Sequence, residues 1–331
     1  MSDPPAVANP PAQPKTLPEP GALTPLRALG LFTLALLSSS AWLVEQFFPT
    51  DLPLPVRLTL RNLTLAAAIA PFALRTLARN RSHPRPYAAL ALASILLLSL
   101  PALLTDIART AVSSTTVTEL FALLPIAVVV LTPHLALNPT TPTPDTTPLL
   151  LPAFLGLTGT LLLLPFALPN TPRRAAFQAL TLLAVLIAAI AAIWMHRLLA
   201  AFPLPEALLT ASLANFAFSA AWLLTASLLT HTPLWPPGLP LRQTLPPELA
   251  LTLLYDLPQL ALLLWLMRAL APTRLSARYL AVPLLTVLEG LVFLPTPITL
   301  RLVAATALIL FAILRLTTAP TSAPEPRLIL H

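Results

Sequence analysis

The sequence predicts an all-α integral membrane protein with about ten transmembrane helices arranged as two inverted five-helix repeats. Composition, the length of its apolar runs and an internal near-repeat predict it. Of 331 residues, 56% are hydrophobic and 9% charged, with a mean hydropathy of +0.82. Soluble domains are about 25% charged. A chain this apolar cannot cover itself with polar surface and needs lipid as solvent. The apolar runs are long and continuous, not the short alternating segments of a membrane β-barrel.

Residues 1–25 hold eight prolines and no apolar run, and read as an extended, disordered tail. Ten spans follow, at roughly 26–48, 55–77, 87–105, 113–137, 148–168, 174–198, 205–230, 247–271, 276–295 and 298–317, with a short tail at 318–331. About 20 residues suffice to cross ~30 Å of hydrocarbon. Prolines such as Pro49, Pro84, Pro169, Pro203 and Pro295 mark the breaks.

The formal charge is +7 and the pI about 11.2. The basic residues stand singly or in small groups at helix ends, which suits membrane orientation and not nucleic-acid binding. With the N-terminus in the cytoplasm, twelve of the nineteen Lys and Arg residues fall inside, most of the bias coming from Arg75–Arg85 and Arg268–Arg278. Both termini are therefore expected inside, in a multi-pass protein of the cytoplasmic membrane. The chain has no cysteine, which excludes disulfides, thiolate catalysis and cysteine-ligated metals. The histidines near predicted helix ends, His83, His134, His196 and His231, form no pair at ligand spacing, so no metal is expected.

The near-repeat divides the chain. Leu52-Pro53-Leu54-Pro55 opens the second span and Phe202-Pro203-Leu204-Pro205 the seventh. The run at 28–37 aligns with 179–188, and Pro125 with Pro283. Residues 26–168 and 174–317 thus read as two five-helix repeats. An odd number of spans puts them in opposite orientations, with a site between them at the midplane.

The chain resembles the drug/metabolite transporter superfamily, in particular its EamA-type ten-helix members, over about residues 26–317. Three stretches carry this: Arg61-Asn62-Leu63-Thr64-Leu65-Ala66-Ala67; Ser113-Ser114-Thr115-Thr116 with Phe121-Ala122-Leu123-Leu124-Pro125; and Arg278-Tyr279-Leu280-Ala281-Val282-Pro283 followed by the small-residue run at Ala304-Ala305-Thr306-Ala307. Where the family has a glycine–glutamate pair after its fourth and ninth helices, this chain has Asn138-Pro139 and Leu294-Pro295. The resemblance implies a secondary transporter that moves a small metabolite or drug-like solute by alternating access. It implies no substrate.

Ionisable groups inside spans are the best local pointers, since each costs at least ~2.5 kcal/mol to insert. Glu45 faces Arg57 and Arg61 across the first hairpin, although charges this near helix ends also snorkel to the interface. Ser212, Asn215, Ser219 and Trp222 share one face of the seventh span, Thr252, Tyr255, Asp256 and Gln259 lie close together on the eighth, and Tyr279, Thr286 and Glu289 lie on the ninth. The substrate contacts are therefore expected at Trp42, Arg61, Asn215, Trp222, Tyr255, Asp256 and Glu289, with Asp256 and Glu289 also candidates to carry a coupling proton. The hydroxyls and Asn215 equally suit interhelical hydrogen bonding. Glu119 and Glu206 read as acidic groups near helix N-termini, favoured there by the helix dipole.

No H-E-x-x-H, G-x-S-x-G or glycine-rich phosphate loop occurs, so an enzyme is not expected, and no cofactor. The expected partners are a small-molecule substrate, the lipid bilayer and a coupling proton or ion; a homodimer is compatible with the sequence. The alternatives are a non-transporting membrane scaffold derived from a transporter and, behind it, an intramembrane enzyme.

Overall fold

The computed structural model describes residues 23–47, 52–79, 84–135, 146–164, 167–293 and 297–318. Apart from residues 23–25 and Thr318, the expected tails fall outside the described residues. All regular structure among the described residues is helical. In chain order the helices are α1 Pro25–Ser39, continued by the short Ala41–Phe47, α2 Leu54–Arg79, α3 Pro84–Arg109, α4 Ser114–His134, α5 Thr147–Leu163, α6 Pro172–Leu199, α7 Leu204–Thr230, α8 Leu241–Ala269, α9 Pro272–Phe293 and α10 Leu300–Thr318.

Seven of these, α3, α4 and α6 to α10, are long and apolar enough to cross a membrane, and they make the chain a multi-pass membrane protein. Large apolar side chains such as Leu254, Val292 and Leu300 stay exposed on the outside of the bundle, where lipid is their solvent. Leucine and alanine, strong helix formers, fill these segments. The starts are set by caps and prolines together. Thr24, Ser113 and Thr171 each accept a hydrogen bond from a backbone N–H three residues on. Pro25, Pro84 and Pro172 stand at first helical positions, where the missing N–H leaves nothing unsatisfied.

Two prolines act inside helices instead. Pro101 and Pro258 lack the N–H for an α-helical bond and crowd the carbonyl four residues before, on Leu97 and Leu254. Both helices answer by widening: α3 carries a π-turn at Ile95–Ser99 and α8 one at Thr252–Asp256, closed by Leu100 N–H on Ile95 O and Leu257 N–H on Thr252 O. Helix α4 breaks at Ala122–Leu123, just before Pro125.

Helix α2 packs along α7, α3 along α6 and α5 along α10, the three most extensive helix pairs. The last of these contacts is close because it is built from small residues: Gly156 and Gly159 of α5 meet Ala305 and Ala312 of α10. A Cβ added to Gly159 would lie 3.0 Å from the Ala305 carbonyl oxygen and 2.7 Å from Ile309 Cγ1. The largest core cluster joins Leu198, Leu199 and Phe202 at the end of α6 to Leu264, Met267 and Leu270 at the end of α8. It makes one end of the bundle solid.

Candidate functional site

The two widened turns place the polar side chains. In α3, Ser99 closes the turn and donates to Asn215 Oδ1 of α7 at 2.5 Å. Asn215 in turn donates to Ser94 Oγ at 3.3 Å and to its own helix at Ala211 O, 2.8 Å. In α8, Asp256 closes the turn and takes both Nε and Nη2 of Arg61 from α2, a bidentate ion pair. The Asp256 side chain is 6% exposed and that of Arg61 28%, so the pair is largely shielded. The other end of Arg61's expected hairpin pair, the Glu45 side chain, lies outside the described residues.

Beside this ion pair lies a cavity of about 460 Å³, within the size range of small-molecule sites. Its wall comes from α1, α2, α3, α4, α8 and α9. Its polar groups include Arg61, Asp256, Gln259, Arg109 and Arg278, and leucine side chains cover much of the rest. Phe121 and Tyr279 stack with ring centroids 6.1 Å apart at 26°. The Arg278 guanidinium sits over the Tyr279 ring at 4.6 Å and donates to its hydroxyl at 2.7 Å.

Of the residues expected from sequence, Arg61 and Asp256 line this cavity. The other five lie around it. Glu289 accepts from Ser39 Oγ at 2.5 Å and from Trp42 Nε1 at 3.0 Å, which ties α9 to α1 and its continuation. The Trp42 ring also meets Phe293 edge to face at 6.5 Å. Tyr255 donates its hydroxyl to Leu37 O, and Gln259 donates to Ser38 Oγ at 3.0 Å, fastening α8 to α1. Asn215 is buried in the α3–α7 contact, and Trp222 is half-buried further along α7.

Arg109, Arg278 and Phe121 are the site residues that sequence reasoning missed; Tyr279 stands among the polar residues noted on the ninth span but not among the expected contacts. The two arginines stand near helix ends, where they read as orientation signals. Only the break in α4, signalled by Pro125, hinted that this stretch forms a wall. Glu119 also differs from expectation: it stands in the second turn of Ser114–Phe121, is buried, and neither carboxylate oxygen has a partner among the described residues. A buried carboxylate without a partner is destabilising. Glu119→Gln is therefore expected to raise unfolding stability by about 1 kcal/mol, read by thermal denaturation in detergent. Glu206 does stand in the first turn of α7, and Tyr87 of α3 donates to it at 2.7 Å.

No known family's sequence pattern matches the chain, and no curated protein sequence matches it. Among solved structures, 26 chains match. One, a crystal structure described only as that of a protein, aligns with 88% of this chain and 96% of its own length at a TM-score of 0.65 and 21% identity. At that identity the likeness shows the fold alone.

Proposed function

We propose that the protein is a secondary transporter of the drug/metabolite transporter type, which moves a small solute through the cavity between α1, α2, α3, α4, α8 and α9. The observation that carries this is the 460 Å³ cavity beside a buried Arg61–Asp256 pair, in the middle of an otherwise apolar bundle. A membrane protein retains ionic groups at such depth where they face a pathway or each other.

In this reading α1, α2 and α5 also span, giving ten helices in two inverted repeats. Three features support the repeat. The widened turns of α3 and α8 each precede a Leu-Pro pair, and Pro101 and Pro258 are 157 positions apart, close to the spacing of Pro125 and Pro283. Two of the three most extensive contacts, α2 with α7 and α5 with α10, join a helix to its own counterpart. The contact of α1 with α9 is matched by that of α6 with α4. Inverted repeats of this kind rock about a central site to expose it to each side in turn.

With both termini in the cytoplasm, the start of α2, the end of α3 and the start of α4 lie at the outer face. The cavity is lined by Leu58 and Arg61 of α2, Arg109 of α3 and Thr118 of α4, so it opens outward. The Leu199–Phe202–Leu270 cluster closes the inner end, reinforced by the Tyr87–Glu206 hydrogen bond and the edge-to-face contact of Tyr87 with Phe202 at 4.9 Å. The absence of native cysteine makes this testable directly. A cysteine at Thr118 is expected to react with a membrane-impermeant maleimide added outside, and one at Ser276 is not. Reaction of Thr118→Cys from the cytoplasmic side only would reverse the orientation.

Transport itself is tested by flux of candidate metabolites into liposomes carrying the purified chain; a protein that moves none of a broad panel would instead be a membrane scaffold. For coupling, Asp256→Asn and Glu289→Gln keep shape and remove titration. If proton coupling runs through either carboxylate, its variant is expected to lose the pH dependence of uptake. Unchanged pH dependence in both removes these groups from the coupling role.

A further inference from the structure

Counting the charges that line the cavity gives an excess of two positive groups. Asp256 is neutralised by Arg61, so that pair contributes no net charge. Arg109 and Arg278 remain, and among the described residues no other carboxylate lines the cavity. Asp106, one turn before Arg109, is not among the lining residues. Arg109 has no hydrogen-bond or ion-pair partner among the described residues, and Arg278 touches only the neutral Tyr279. Arg278 is half-buried beside the apolar part of the wall and Arg109 is exposed at its rim, and the two guanidinium groups hold a positive potential across the space between them.

Resting on the transporter reading, we propose that the solute is an organic anion with a planar apolar body, its acidic headgroup held by Arg278 and Arg109. A guanidinium presents paired N–H donors that match the two oxygens of a carboxylate, sulfonate or phosphate. Phe121 and Tyr279 supply aromatic surface to the wall beside Arg278, against which a ring of the solute packs. Organic cations are disfavoured by the same potential, because they would meet two like charges and find Asp256 already taken.

The test uses the full chain in nanodiscs and three probes of one size: benzenesulfonate, phenyltrimethylammonium and benzyl alcohol. The first two carry permanent charges, so neither changes form with pH. Calorimetric binding is expected for benzenesulfonate and at least about 10-fold weaker for the other two, the difference one well-placed charged contact makes. Arg278→Gln and Arg109→Gln are each expected to weaken benzenesulfonate about 10-fold. Arg278→Lys, which keeps the charge and loses the planar fork, is expected to fall between. Gel filtration confirms that each variant is folded before its affinity is read.

Binding of phenyltrimethylammonium as tight as that of benzenesulfonate overturns the proposal, as does absence of benzenesulfonate binding or an unchanged affinity in both glutamine variants. Flux of the labelled probes is measured separately in liposomes. Charge-selective binding without flux leaves the anion site standing and removes the transporter reading. Flux of the cation with no binding of the sulfonate does the reverse.

Discussion

Asp256→Ala is expected to destabilise the protein by about 3 kcal/mol, among the largest losses available from a single side chain outside the apolar core. The substitution leaves Arg61 in a largely apolar setting with its bidentate partner gone. Arg61 keeps 28% exposure and finds some water in the cavity, which holds the expected loss at the low end of the range for breaking a buried pair. Arg61→Leu is expected to cost at least as much, since it strands the more buried carboxylate. The exchanged double variant, Arg61→Asp with Asp256→Arg, restores the charges at a different geometry and is expected to recover about half of the loss. Chemical denaturation in micelles reads all three. Single variants within about 0.5 kcal/mol of the parent would show that the pair is not a structural tie between α2 and α8.

The second large effect belongs to the α5–α10 contact. Gly159→Leu is expected to cost about 3 kcal/mol, because the new side chain must push against the Ala305 backbone, which cannot rotate aside. Gly156→Leu meets Leu280 and the Ala312 Cβ, at 2.3 and 3.0 Å from the added Cβ, and is expected to cost a similar amount. Gly159→Ala is milder, at about 1 kcal/mol, since only a single Cβ must be accommodated against Ile309, the Ala305 carbonyl and Leu308 Cβ. Gly290 provides the control. It also lies inside a helix, but nothing stands within 4 Å of its added Cβ, so Gly290→Ala is expected to stabilise by about 0.5–1 kcal/mol through the helix propensity alone. Thermal unfolding of the four variants measures the contrast. Equal effects at Gly159 and Gly290 would mean that α5 and α10 do not approach as closely as the structure places them.

What was legible in the sequence follows from which interactions are local. Span-length apolar runs and proline breaks are written in consecutive residues, so the membrane class and the helical segments could be read directly. Asp256 and Arg61 could be singled out because an ionisable group in an apolar span is conspicuous by itself. Their pairing could not, because 195 positions separate them and nothing local relates the two. The same holds for Glu289, whose partners Ser39 and Trp42 come from the opposite end of the chain. Arg109 and Arg278 were invisible for a different reason. An arginine at a helix end has the same local context whether it meets lipid headgroups or a cavity, and only the packing of neighbouring helices separates the two. The widened turns were hidden as well: a proline signals a perturbed helix but does not say whether it bends, breaks or widens.

In the proposed transporter, those widened turns would govern how a closing motion is divided. A π-turn followed by proline is a site where the backbone ladder has already been interrupted, so the two halves of α3 and of α8 pivot there with little further loss of hydrogen bonding. The halves ending at Arg109 and at Ala269 would then move as separate levers, with Ser99 and Asp256 at the fulcrums. Each turn is also the point of attachment to α7 or α2, so a pivot at either one pulls on a helix distant in the chain. In the proposed transport cycle, a solute that loosens Arg61 from Asp256 would free a joint, with the Phe202 and Leu270 cluster at the far end of the lever it releases.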